Sequence, residues 1–136
     1  MAQTQKPTKL GYGEAGRLLA GEAASAFKSI VGLTGACTAS EDSTFINPGG
    51  ATKLAANGFA LADADSVIAS DTSVTDDTVE VDHVFTASGA QSVSGFAILN
   101  DDDDVVYMEV CFNAALEFEE NDTLTCEGKY QLKLGS

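Results

Sequence analysis

Residues 123–134, TLTCEGKYQLKL, alternate between apolar and polar side chains more strictly than any other part of the chain. In an extended backbone, Leu124, Cys126, Tyr130, Leu132 and Leu134 fall on one face. Thr125, Glu127, Lys129, Gln131 and Lys133 fall on the other. A period of two with one wet face is the signature of an antiparallel sheet, and on a helix the same residues would scatter around the axis.

The same period recurs upstream. In TVEVDHVFTA, residues 78–87, Val79, Val81, His83 and Phe85 share a face while Glu80 and Asp82 point away. GFALADADSVIAS (58–70) alternates in part, and the apolar runs SVSGFAILN (92–100) and VVYMEVCF (105–112) follow. About six or seven strands at intervals of roughly ten residues predict an antiparallel β-sandwich. Ahead of them, Ala15, Leu18, Leu19, Ala23, Ala26 and Phe27 recur at helical intervals, with Glu14 where a helix dipole favours an acid. The spacing predicts one short helix near residues 12–24, with AFKSIVGL continuing as a strand. Gly16 and Gly21 weaken that helix by up to ~1 kcal/mol each. Residues 34–50, rich in turn formers, read as a long loop. Residues 1–9 are polar, include Pro7, and read as a flexible N-terminal arm before a single domain over 10–136.

At 136 residues with 44% hydrophobic side chains, the chain can bury a core without a metal or disulfide. Its net charge of −14 opposes contact with nucleic acid, because a polyanion repels phosphate. No apolar stretch approaches the ~20 residues that span a bilayer. MAQTQKPTKLGYGEAG lacks the apolar core of a secretory signal. Cys37, Cys111 and Cys126 are odd in number and show no CxxC spacing. Strand phase puts Cys111 and Cys126 on different faces and Cys37 in a distant loop. All three are therefore expected to be reduced, structural thiols in a reducing cytoplasm.

The candidate sites are few. Asp101, Asp102, Asp103 and Asp104 lie between two strands at hairpin-loop length. An EF-hand is excluded, since its sixth position would be Val106 and its twelfth Phe112. The run is expected to be a solvated turn that needs no metal, with calcium as the alternative if the acidic turns at 76–77 and 119–122 lie at the same end. His83, the one histidine, shares its face with core residues and is expected to be structural. GYGEAG has no strand before it, so it reads as the start of the helix and not as a nucleotide loop. Neither catalytic residues nor a cofactor are expected.

The segments FTASG, GFAILN and ENDTLTCEGKYQL stand in an order that resembles small structural proteins of tailed bacteriophages and archaeal tailed viruses. The resemblance covers nearly the whole chain as patterned strands and turns, and the cysteines and the aspartate run depart from it. It implies a non-enzymatic virion protein, assembled in the host cytoplasm. The implied position is capsid decoration or cementing, with a tail or fibre position as the alternative. The partners implied are the major capsid protein or other virion proteins and further copies of the chain, with a trimer as the guess; nucleic acid and membrane are not among them. The competing class is a calcium- or carbohydrate-binding β-sandwich module, which the absence of tryptophan makes a poor match.

Overall fold

The computed structural model describes residues 3–44 and 47–132. They form two antiparallel sheets of nine strands in total and one α-helix. The strands are β1 (Gln3–Pro7), β2 (Phe27–Thr34), β3 (Thr52–Lys53), β4 (Ala62–Asp63), β5 (Ser66–Ser70), β6 (Thr78–Thr86), β7 (Gln91–Asn100), β8 (Val106–Phe118) and β9 (Thr123–Gln131), and helix α1 is Lys9–Leu19. The larger sheet runs β1-β8-β7-β2-β3, with β4 also on β2, and the smaller runs β5-β6-β9. The mainly-β, antiparallel expectation holds, but the strands outnumber the expected six or seven. The additional ones are short or polar, and their period is too brief or too hydrophilic to read.

The core between the sheets takes Ile30, Ile98 and Val110 from the larger sheet and Val81, Phe85, Cys126 and Tyr130 from the smaller. Gly128 is a point of close approach between the two sheets, since a Cβ there would stand 2.2 Å from Ile98 Cδ1. Alternate residues of the larger sheet, Val31, Leu33, Ala97 and Leu99, build a second cluster on its opposite face. The loop between β2 and β3 covers that cluster. This double burial explains why SVSGFAILN is a continuous apolar run and not an alternating one.

The covering loop is fastened at two points. Buried Glu109 on β8 accepts hydrogen bonds from Ser40 N and Ser43 Oγ, both at 2.6 Å. Beside it a disulfide joins Cys37 to Cys111 with Cα atoms 5.4 Å apart. The expectation of three reduced thiols is thus corrected. Phase did separate the faces: Cys111 points to the loop side of its sheet, and Cys126 is buried free between the sheets. The loop's return onto β8 brings Cys37 to Cys111, and no local pattern signals it.

Two boundaries also differ from expectation. Gln3–Pro7 is no flexible arm: it pairs with β8 from Gln3↔Phe112 to Pro7↔Met108. Ladder hydrogen bonds order it although its side chains are exposed. The helix lies earlier than 12–24. Thr8 caps it, accepting from Gly11 N at 2.9 Å and donating to Val106 O, so the helix start is fixed on β8. Gly21 at φ 74° follows the last turn, where Glu22 N reaches Arg17 O at 2.9 Å, and ends it. Leu134 and Lys133 of the alternating stretch lie outside the described residues.

Candidate functional site: the aspartate turn and an apolar rim

The turn between β7 and β8 is organised by Asn100, which is fully buried. Asn100 Nδ2 donates to Glu14 Oε2 at 2.6 Å and to Asp104 Oδ1 at 2.7 Å. Its Oδ1 accepts from Asp104 N at 3.0 Å and Val105 N at 3.3 Å. Asp103 takes the left-handed conformation at φ 59°, where aspartate is among the better tolerated residues. Three of the four carboxylates then diverge. Asp101 pairs with Lys28 at 3.2 Å, Asp102 accepts from Ser25 Oγ, and Asp104 serves Asn100. Asp102 ties the turn to the segment between α1 and β2, and Asp101 ties it to β2 itself.

The other acidic turns do not join them. Residues 119–122 lie at the far end of the thirteen-residue β8. Asp77 is committed to its own loop, accepting from Thr72 N at 2.8 Å, Ser73 N at 2.9 Å and Gln131 Nε2 at 3.0 Å. Burial by itself would raise the Asp77 pKa, but hydrogen bonds from Gln131, Ser73, Thr72 and Thr78 together hold it far below the usual carboxylate range. Glu14 is likewise lowered, chiefly by Arg17 at 2.8 Å, with burial opposing and Asn100 and Ser25 assisting.

Among the described residues, the carboxylates that do converge are Glu80, Asp82 and Glu127, whose oxygens lie within 4.8 Å of one another. They sit on the outer face of the smaller sheet, where Asp82 pairs with Glu127. Burial and then the neighbouring Glu80 raise the Asp82 pKa, with Glu127 adding to the shift and Lys129 opposing it. No local pattern signals this group, because it depends on β6–β9 register.

His83 faces inward as its phase predicts, with its ring 4.5 Å from that of Phe85 and Nδ1 3.2 Å from Asp65 Oδ1. Its cross-strand partner is Cys126. An acid, an imidazole and a thiol thus lie in sequence, but burial pushes the Cys126 thiol up to about 12. A thiol so protonated at neutral pH is a core side chain and not a nucleophile.

The feature that sequence reasoning missed is apolar. Helix α1 lies over one end of the smaller sheet, leaving an open cavity of about 210 Å³ between them. Leu18 and Leu19 line it from the helix, Phe27 from β2, and Val67, Val79 and Leu132 from the smaller sheet's side. At its mouth Leu19 is 76% exposed and Leu132 45%. Tyr12, more than half exposed and with its ring 5.6 Å from that of Tyr130, extends the apolar surface along the same side of the helix as Leu19. Adjacent Leu18 and Leu19 were the available signal: neighbours on a helix stand about 100° apart, so when Leu18 packs inward Leu19 falls at the margin of the buried stripe.

Comparison with protein-family models, curated proteins and solved structures found no match. The likeness to virion proteins therefore rests on the order of patterned segments alone.

Proposed function

We propose that this chain is a non-enzymatic virion structural protein, a decoration or cementing protein on the outer surface of a tailed virus capsid. The observation that carries the reading is the apolar rim of Tyr12, Leu19 and Leu132 on a chain of net charge −14. Large exposed apolar side chains gathered at one place mark a contact surface, whereas scattered ones need no explanation. The acidity of the remainder suits an outward position, away from packaged DNA. A major capsid protein and further copies of this chain, as a trimer, are the partners that fit. The Cys37–Cys111 disulfide suits a particle that assembles in the host cytoplasm and leaves it, since such bonds persist in oxidising surroundings.

That same disulfide favours one other reading, an extracytoplasmic calcium-binding β-sandwich in which Glu80, Asp82 and Glu127 hold the ion. Gold-labelled antibody against the chain, viewed on purified particles, separates these. Label over the head supports decoration, label on the tail moves the protein to a tail or fibre role, and a chain absent from particles defeats both.

A further inference from the structure

Among the described residues the two sheets leave several free edges, and all but one carry features that discourage a further strand. β1 ends in Lys6 and Pro7, β3 and β4 have two residues each, and β9 sets Glu127 and Lys129 on its wet face. Charges, proline and brevity are the usual protections of a sheet edge. β5 has none of them. Its sequence, SVIAS, holds no charge and no proline, and it runs in continuous register with β6 from Ser66↔Asp82 to Ser70↔Thr78. Val67, Ile68 and Ala69 are all exposed, and among the described residues β6 is the strand's one partner.

We propose that β5 is an acceptor edge for an extended strand of a different protein, one with alternating apolar side chains flanked by lysine or arginine. Strand addition of this kind draws affinity from main-chain hydrogen bonds and selectivity from the pockets that alternate side chains enter. Val67 lines the apolar cavity under α1, so an added strand beside β5 brings its inward side chains towards that opening, while Ile68 meets the outward ones. The flanks set the charge. Seven acids, Asp63, Asp65, Asp71, Asp76, Asp77, Glu80 and Asp82, surround β5 in sequence, and no lysine or arginine occurs between Lys53 and Lys129. A second copy is the wrong occupant. Two β5 strands paired antiparallel about Ile68 set Asp65 of each opposite Asp71 of the other, and like charges directly opposed are destabilising.

The inference holds whether or not the chain belongs to a virus particle, because its test needs no particle. The probe is a blocked, fluorescein-labelled peptide of alternating valine and threonine with two lysines at each end, titrated into the full chain by fluorescence anisotropy. Two control peptides carry glutamates in place of the lysines, or N-methyl groups on alternate backbone nitrogens. Both should bind on the order of tenfold more weakly, since one loses charge complementarity and the other its ladder hydrogen bonds. Val67→Asp adds a negative charge, so simple attraction to a cationic peptide would strengthen, whereas strand addition should be lost. Ile68→Asp is the second variant should Val67→Asp not fold. Asp63→Asn combined with Asp76→Asn, which leaves β5 intact, should weaken the lysine peptide several-fold at low salt and little at ~1 M, where the Debye length is about 3 Å. No binding, or binding indifferent to N-methylation and to both β5 substitutions, overturns the proposal. So does sedimentation showing self-association that Val67→Asp or Ile68→Asp abolishes, which assigns the edge to a second copy.

Discussion

Cys37 and Cys111 are 74 residues apart in sequence and bonded, so the loop that covers the outer face of the larger sheet is stitched to the middle of β8. Gly49 packs against this bond at φ 66°, and a Cβ there would stand 2.9 Å from each sulfur. The backbone conformation and the close approach together require glycine at that position.

A crosslink over so long a loop restricts the unfolded chain strongly. Chain-entropy arithmetic gives a stabilisation of about 4 kcal/mol. Paired Cys37→Ser and Cys111→Ser substitutions should therefore lower the urea midpoint markedly, and reductant should do the same to the parent protein. After denaturation without reductant one thiol, Cys126, should react with maleimide, and with reductant all three should react. Three reactive thiols in the unreduced protein would contradict the bond.

Gly49→Ala should also be costly, by roughly 1–3 kcal/mol for the strained backbone. Its effect should shrink in the doubly substituted serine background, where the two sulfurs are gone. Thermal melts of the four proteins measure that coupling.

Glu14 and Asp77 set the pH dependence. Both have pKa values lowered in the folded state, so each contributes stability that is fully present above its unfolded value and is lost as pH falls through its folded one. Stability should accordingly decline below about pH 4.5, the ordinary range for these carboxylates. Asp82 runs the other way. Its raised pKa means that it favours the fold most at low pH, and that contribution is lost as pH rises through the folded value. Glu14→Gln should flatten part of the acid limb, read as Tm against pH, whereas Asp82→Asn should raise Tm near neutrality.

Within the aspartate turn, the residues should respond unequally. Asp103→Asn keeps a side chain suited to φ 59° and should change stability by no more than about 0.5 kcal/mol. Asn100→Ala removes the donor to Glu14 and Asp104 and strands buried groups, which should cost about 2–3 kcal/mol. The turn carboxylates already diverge onto Lys28, Ser25 and Asn100. Melting in calcium and in chelator should thus differ equally in the parent and in a variant with Asp101 and Asp103 both changed to Asn. A calcium shift that this variant loses would make the turn a metal site.

β6 and β9 were legible because one face is wet and the other dry, and they announce that face by phase alone; β7 and the first half of β8 were legible as apolar runs buried on both faces. The helix was legible in kind but displaced, since its limits depend on the Thr8 cap bonded to β8 and on Gly21. β1 was invisible: its five residues are ordered by backbone pairing, which leaves no trace in side-chain pattern. The disulfide, the Glu80–Asp82–Glu127 group and the apolar rim share a different obscurity. Each is made by residues from separate segments, and each exists only once the sheets have set their register.

On the proposed function, the apolar rim beside α1 holds this chain on a particle. The direct measurement is saturable binding of the purified chain to particles that lack it, compared with Leu19→Asp and Leu132→Asp variants. Both side chains are solvent-exposed, so the variants should melt within a few degrees of the parent. The parent should bind to saturation at a fixed number of sites per particle, and each variant should lose most of that binding. Absence of binding by the parent, or undiminished binding by both folded variants, would contradict it.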